Sequence, residues 1–202
     1  MGMSVVSPKL STNVYKKNTI ATSPELKIIQ EALFIGQAPA EPGGPVLEGR
    51  SATRLCKLAG LPADKLFFLF ERCNVLEEFP GRKGTGDGDF FDLQKGREGA
   101  KKINVHRYRL VIFLGLNVAK AFNVKNARLF KELRFGKTIG LILPHPSGCS
   151  HFWNTKDNRE LAARKLRYIM KKAKVGKYSK YFNRIKLPSS KRVLSKYFSK
   201  FE

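Results

Sequence analysis

Cysteine is scarce in this sequence of 202 residues, and the three present, Cys56, Cys73 and Cys149, lie far apart without a CxxC pair. That spacing argues against a zinc ribbon, an iron–sulfur cluster or a disulfide framework, and it favours a reduced intracellular setting. Long apolar runs are also missing, since none approaches the ~18 residues of a membrane span. Residues 1–8 lack the charged and apolar regions of a secretory signal. We therefore expect a soluble, monomeric intracellular protein without a metal.

Acidic residues are scarce as well: 16 Asp and Glu stand against 39 Lys and Arg, which gives a formal net charge of +23. This excess predicts a polyanionic partner, because basic side chains release condensed counterions when they contact phosphates. Solubility or binding to a membrane surface is the alternative. In the C-terminal tail, residues 173–202, Lys and Arg alternate with Tyr and Phe. Such a tail suits nucleic-acid backbones and exposed bases, or its aromatic rings dock on the domain.

Short apolar runs alternate with helical patterns along the middle of the chain. Four runs predict strands buried on both faces: Ala32–Ile35, Leu66–Phe70, Leu110–Leu114 and Ile139–Leu143. The predicted helices are Ser51–Ala59, Gln94–His106, Val118–Phe122 and Lys156–Lys172. The alternation indicates an α/β fold, a three-layer α/β/α sandwich with a central, mostly parallel four-stranded sheet. We expect this domain to cover residues 25–172, after an N-terminal extension of residues 1–24.

A histidine follows the last predicted strand, in the turn Leu143-Pro144-His145-Pro146-Ser147-Gly148. Prolines and a glycine fix the backbone there, so His145 is held at the carboxyl end of a strand, where open α/β sheets bind ligands. A lone histidine in such a place is more often structural than catalytic, so companion residues decide its role. Asn74 is one candidate, because its amide can read the edge of a base or, equally, close a turn.

Three loops are further candidates for contact with a ligand. A Gly/Pro-rich loop begins with Gly36-Gln37-Ala38-Pro39-Ala40 and matches neither a Walker loop nor GxGxxG. Its backbone either approaches a ligand closely or forms an ordinary turn between two elements. Gly115 permits a tight turn after the third strand, and Asn117 is placed to cap the helix that follows. Residues 79–92 carry four glycines without a helical or strand period, which indicates a long, functional loop.

In chain order, GQAPA, the Cys73-Asn74 step, LGLNVA and HPSGCSHFW resemble the motifs of the uracil-DNA glycosylase superfamily, over about residues 32–172. The resemblance implies hydrolysis of the N-glycosidic bond of a pyrimidine flipped out of DNA, without a cofactor. It implies that His145 donates a hydrogen bond to the base oxygen as negative charge develops there. It also implies that Asn74 reads the base and that the loop from Gln37 to Glu41 positions the water.

The same resemblance implies which residues surround the base and which contact DNA. The base would lie against Ala38, Ala40, Leu47 and Asn74. DNA contacts would come from Ser147, Gly148, Cys149, Ser150, His151, Lys83 and Arg50. Ser147 would hold a phosphate through its hydroxyl and its backbone N–H.

Two departures from the family pattern bear on activity. The usual carboxylate is missing, since Gln37 and Ala38 stand where relatives have Glu or Asp. Substitutes in nearby loops are Glu41, Glu48, Asp87 and Asp89. Ala40 replaces the tyrosine that excludes C5-substituted pyrimidines, so we expect excision of uracil or of a C5-modified base such as hydroxymethylated or glucosylated cytosine, in repair or antiviral defence.

The rival hypotheses are a catalytically inactive glycosylase fold that binds DNA, and an enzyme acting on free nucleotides or sugars.

Overall fold

Five strands pair in one sheet in the computed structural model, which describes residues 31–81, 90–148 and 150–176. They are β1 (Ala32–Gly36), β2 (Phe70–Asn74), β3 (Leu110–Leu114), β4 (Glu132–Phe135) and β5 (Thr138–Leu143). Their order in the sheet is β2-β1-β3-β5-β4. All neighbours run parallel except β4, which is antiparallel to β5. The four parallel strands therefore end at the same edge of the sheet, and ligands of open α/β sheets bind there.

Helices cover both faces of this sheet. They are α1 (Gly49–Ala59), α2 (Ala63–Leu69), α3 (Leu93–Lys102), α4 (Leu116–Ala121) and α5 (Lys156–Lys172). Successive side chains of a strand point to opposite faces, which divides the core in two. Phe34 and Ile112 belong to the half that includes residues of α1, α2 and α5. Ile35 and Phe113 belong to the half that includes residues of α3 and α4. The predicted α/β class and mostly parallel sheet are confirmed.

The predicted second strand is wrong, because most of Leu66–Phe70 belongs to α2 and the strand begins only at Phe70. The run is apolar throughout, but Leu66 is buried while Phe68 is 54% exposed. A short helix presents one side to the core, and here its other side also carries a large apolar residue. β2 itself contains Glu71 and Arg72, which an edge strand tolerates because only one of its neighbours is a strand.

The predicted number of four strands is also wrong, because β4 adds a fifth at the edge beside β5. Its side chains alternate between exposed and half-buried, as is typical of a strand with one wet face. Gly136 adopts a φ of +59° in the two-residue connection between Phe135 and Thr138, which pair with each other. A glycine in a two-residue link between an alternating run and an apolar run is the hairpin signal that the sequence offered.

Other boundaries differ by smaller amounts. The helix predicted to reach His106 ends at Lys102, and Val105–Arg107 form a separate 3₁₀ turn. The predicted cap at Asn117 is wrong, because α4 begins at Leu116 with Gly115 before it. Gly115 has a φ of +110°, which confirms the predicted tight turn.

The end of the described chain packs against its start. The helix predicted at Lys156–Lys172 has those bounds, but buried residues continue beyond it, with Val175 only 1% exposed. The backbone N–H of Gly176 donates to the carboxylate of Glu31 at 3.0 Å. The N-terminal extension and most of the C-terminal tail lie outside the described residues. Within the described ranges, no helix is both long and apolar enough to cross a membrane.

Candidate functional site

Asn74 lies at the carboxyl end of β2, in register with Gly36 at the end of β1. A Cβ at Gly36 would stand 2.3 Å from Oδ1 of Asn74, so the amide occupies space that only a glycine leaves open. Oδ1 and Nδ2 of Asn74 are both buried, and neither has a hydrogen-bond partner among the described residues. Buried polar groups in folded proteins nearly always have partners. The amide is therefore suited to a ligand that supplies both a donor and an acceptor.

Leu47 completes this half of the site. It is 8% exposed and has a φ of +50°, which is unusual for a residue with a branched side chain. Its Cδ2 would stand 3.0 Å from a Cβ at Gly36. The structure therefore brings two of the predicted base-lining residues, Leu47 and Asn74, together over the end of β1.

The loop after β1 is fixed mainly through its backbone. Beyond the paired ends of β1 and β2, the N–H of Leu76 donates to the carbonyl of Gln37 at 3.0 Å. Gln37 and Ala38 are half-buried, whereas Ala40 and Glu41 are exposed. The first part of the GQAPA segment thus lies beside the site, whereas the predicted base-lining residue Ala40 lies at the surface.

No carboxylate of this loop is buried next to Asn74. Glu41 has an exposed side chain, and its carbonyl accepts from Gly44 in a turn. Glu48 is exposed as well, and it lies 4.0 Å from Arg72. The predicted substitutes Asp87 and Asp89 lie outside the described residues.

His145 forms the other half of the site, after the end of β5. It lies against the turn that follows β3, since a Cβ at Gly115 would stand 3.4 Å from the Cβ of His145. The backbone N–H of Ser147 donates to Nδ1 of His145 at 3.4 Å. When Nδ1 of a neutral imidazole accepts, the proton is on Nε2. That tautomer is the one that the predicted contact between Nε2 and a base oxygen requires.

Two residues outside the predicted set hold in place the turn of residues 143–148, which we call the histidine turn. Nε1 of the buried Trp153 donates to the carbonyl of His145 at 2.7 Å. Nη1 of Arg54, on α1, donates to the carbonyls of Pro146 and Ser147, the latter at 2.7 Å. The guanidinium also lies 5.1 Å from the centre of the Trp153 ring. Arg54 thus ties α1 to a turn more than ninety residues later, which no local sequence pattern indicates.

The pKa of the Arg54 guanidinium is lowered by its surroundings. Burial lowers it from its usual value, and the positive charge of Arg159 lowers it further. Arg159 itself donates to the carbonyl of Trp153 at 2.6 Å. Two guanidinium groups therefore stand close together beside the histidine turn.

The predicted DNA-contacting residues are spread around the same turn. The N–H of Ser147 is engaged with His145, which leaves the hydroxyl for the predicted phosphate contact. Gly148, His151 and Arg50 are exposed, and Ser150 is half-buried. Cys149 and Lys83 lie outside the described residues.

The two halves of the site border each other, because β1 and β3 are neighbours in the sheet. Strands lie ~4.8 Å apart, so the ends of β2 and β5 are separated by about 14 Å. That is roughly the width of a pyrimidine with one hydrogen-bonding side chain on either side.

Metal ligands and the Cys73 thiol are the remaining chemical groups to place. Within the described ranges, no three His, Cys, Asp or Glu side chains lie close enough together to hold a metal ion. Burial, and secondarily the charge of Glu71, raise the pKa of the Cys73 thiol to about 12. Comparison of the sequence with models of known protein families gives no match, and comparison with curated proteins gives no significant match.

Proposed function

We propose that the protein is a DNA glycosylase that hydrolyses the N-glycosidic bond of a pyrimidine flipped out of DNA. The main support is the buried amide of Asn74, which has no partner among the described residues and lies at the edge where the parallel strands end. A flipped pyrimidine presents a donor and an acceptor on its Watson–Crick edge, and the amide complements both. The net charge of +23 suits a polyanionic substrate.

His145 supports the chemical step. The bond between C1′ of the deoxyribose and N1 of the base breaks, and its electron pair leaves with the base. The water oxygen bonds to C1′, and the water's proton passes to solvent or to the base. Nε2–H of His145 donates to the O2 oxygen of the base as negative charge develops there, and such a donor counts for most where water is excluded.

The lack of an aromatic wall favours a tolerant enzyme. Ala40 has no aromatic ring and is exposed at the surface, so it does not close off the C5 position, and Leu47, which lies over Gly36, is aliphatic. The substrates of choice are therefore deoxyuridine and pyrimidines with a C5 substituent, including hydroxymethylated or glucosylated cytosine.

A second candidate function is DNA binding without catalysis. It is favoured by the exposed position of Glu41 and Glu48, which leaves no buried carboxylate of the described loop to activate a water. Such a protein keeps the base pocket and the basic surface but forms no product.

One assay separates the two candidates. The purified protein is incubated with duplexes that carry a single deoxyuridine or a single C5-modified cytosine, and alkali then cleaves any abasic site. We expect strand cleavage with wild type, and a loss of about a hundredfold or more in rate with His145→Ala, in line with the loss of one oxyanion donor. His106→Ala is the matched control, because His106 lies in the 3₁₀ turn before β3, at the opposite edge of the sheet.

Three results would each overturn a part of the proposal. Equal rates for wild type and His145→Ala would remove His145 from the chemistry. Abasic product from deoxyuridine alone would remove the proposed tolerance at C5. No product from any duplex, together with tight and salt-sensitive binding, would select the second candidate.

A further inference from the structure

A strongly basic groove of about 1100 Å³ lies between α1 and α5. Seven of its lining residues are Lys or Arg, and only Glu160 is acidic. Neither His145 nor Asn74 lines it, so it is separate from the site at the strand ends. The two features nevertheless adjoin, because Arg54 and Trp153 line the groove and also bind the histidine turn.

Helical periodicity explains why the charges lie together. Arg50, Arg54 and Lys57 are spaced four and three residues apart, which puts them on one face of α1. Lys156 and Arg167 mark the ends of a similar basic stripe on α5. The two helices pack against each other, so the stripes become the two sides of one groove.

The groove begins near the carboxyl ends of the parallel strands, where the candidate site lies, and follows α1 and α5 along one face of the sheet. α1 follows the loop after β1, and α5 follows the 3₁₀ turn His151–Asn154 after β5, so both begin near the carboxyl ends of the strands. The stretch from Lys156 to Arg167 is about 16 Å long at ~1.5 Å per residue. The groove is therefore a path that leads away from the proposed base pocket.

Within the described ranges, few carboxylates neutralise this charge. Glu160 lies 3.9 Å from Lys156. Among the described residues, no carboxylate pairs with Arg50, Lys57 or Arg167. Arg54 and Arg159 bind backbone carbonyls and so maintain the shape of the groove. Like charges held together in this way repel one another, and an anion relieves that repulsion.

We propose that this groove binds the phosphate backbone of single-stranded nucleic acid that continues from the base pocket. The inference deepens the proposed function, on which it rests for the choice of nucleic acid as the polyanion. Duplex DNA is a stiff rod with a persistence length of ~50 nm, so it does not follow the turn from the strand-end edge onto the flank. A single strand bends freely, and its phosphates follow both surfaces.

Matched charge-neutralising variants test the groove. The groove variant combines Arg50→Gln, Lys57→Gln and Arg167→Gln. The control variant combines Lys101→Gln, Lys120→Gln and Lys125→Gln, which are exposed lysines on the side of the sheet that carries α3 and α4. Both variants lose the same charge, and equal urea unfolding midpoints establish that both are folded. Fluorescence anisotropy measures their affinity for an oligothymidylate of about 20 nucleotides and for a blunt duplex of similar length.

We expect the groove variant alone to lose affinity for the single strand. Three phosphate contacts at ~0.7 each lower the slope of log K against log salt by about 2, and the affinity at ~0.1 M salt falls roughly 100-fold. The control variant stays within about twofold of wild type on both probes, and the groove variant loses less affinity for the duplex than for the single strand. Equal losses for both variants would show that only total charge matters and would overturn the proposal, as would an equal loss on the duplex.

The proposed function fails separately. Neither probe contains deoxyuridine, so the binding result does not depend on excision. Selective loss of single-strand binding in a protein that forms no abasic sites supports the groove and removes the glycosylase. Full excision with unchanged single-strand binding in the groove variant removes the groove and leaves the glycosylase.

Discussion

Replacing Asn74 with leucine should make the protein more stable and, at the same time, inactive. Leucine has the same branching as asparagine at Cγ, so it fits the space over Gly36 in which the amide lies. In the free protein both polar atoms of the amide are buried without a partner among the described residues. Such atoms destabilise a fold, and leucine removes both of them.

The expected gain follows from the cost of a buried polar atom without a partner, about 1–3 kcal/mol. Part of it is offset, because the methyl groups of leucine crowd Leu47. A net rise of about 1–2 kcal/mol in the free energy of unfolding remains. For a domain of this size each kcal/mol raises Tm by about 2–4 °C.

Urea unfolding, followed by circular dichroism, measures this change. Asn158→Leu is the matched control, because Nδ2 of Asn158 donates to the carbonyl of Phe152 at 2.9 Å. That variant should lose about 1 kcal/mol, as is usual when a satisfied hydrogen bond is removed. If Asn74→Leu lost as much as Asn158→Leu, the amide would have a structural partner in the free protein. In that case the amide would not be free to bind a base.

Three further predictions concern the surroundings of the site. Trp153→Phe removes the hydrogen bond to the His145 carbonyl, so the free energy of unfolding should fall by about 2 kcal/mol. On a deoxyuridine duplex, kcat should fall at least tenfold while KM stays unchanged, and an unchanged kcat would contradict the positioning role of Trp153. The hydroxyl of Tyr108 donates to Glu71 at 2.6 Å, and burial, followed by Glu71, raises the pKa of Tyr108 above its usual value of 10.0. Because the pKa is higher in the folded protein, Tyr108 stabilises the fold below pH 10, and this stabilisation is lost as the tyrosine ionises at higher pH. Urea titrations should therefore show wild type about 1 kcal/mol more stable than Tyr108→Phe at pH 8, and the difference in the free energy of unfolding should shrink above pH 10. With a pKa of about 12, the Cys73 thiol should react with iodoacetamide at pH 8 at least tenfold more slowly than in the urea-unfolded chain, as mass spectrometry can measure; equal rates would refute its burial.

The central strands could be predicted from apolar runs in the sequence, and the edge strands could not be predicted in this way. β1, β3 and β5 have strands on both sides and helices on both faces, so every residue of them is buried, and apart from Thr138 at the start of β5 none of these residues is polar. β2 and β4 lie at the edges and include charged residues. Charged residues interrupt the apolar pattern of both strands, and the longer apolar run beside β2 belongs to the helix that precedes it, α2.

Local motifs indicated the candidate residues at the ends of the strands but not the residues that hold them. His145 and Asn74 each follow a strand, so their position at the site edge could be inferred from short stretches of sequence. Arg54 reaches the histidine turn from a helix more than ninety residues earlier. The basic groove likewise depends on two helices that are far apart in the chain, so only the packed structure brings its charges together.

The position of the carboxylates bears on how a glycosylase of this kind would work. Glu41 and Glu48 are exposed, so a general base from the described part of the loop after β1 would be poorly placed to take a proton from a water beside Asn74. In a reaction in which the base departs before water bonds to C1′, the water meets a cationic sugar and needs orientation more than deprotonation. Gln37, half-buried beside the site, has an amide oxygen that accepts a hydrogen bond from water. The rate would then depend mainly on stabilising the leaving base, which is the role that we propose for His145, with Arg54 and Trp153 as the residues that position its turn.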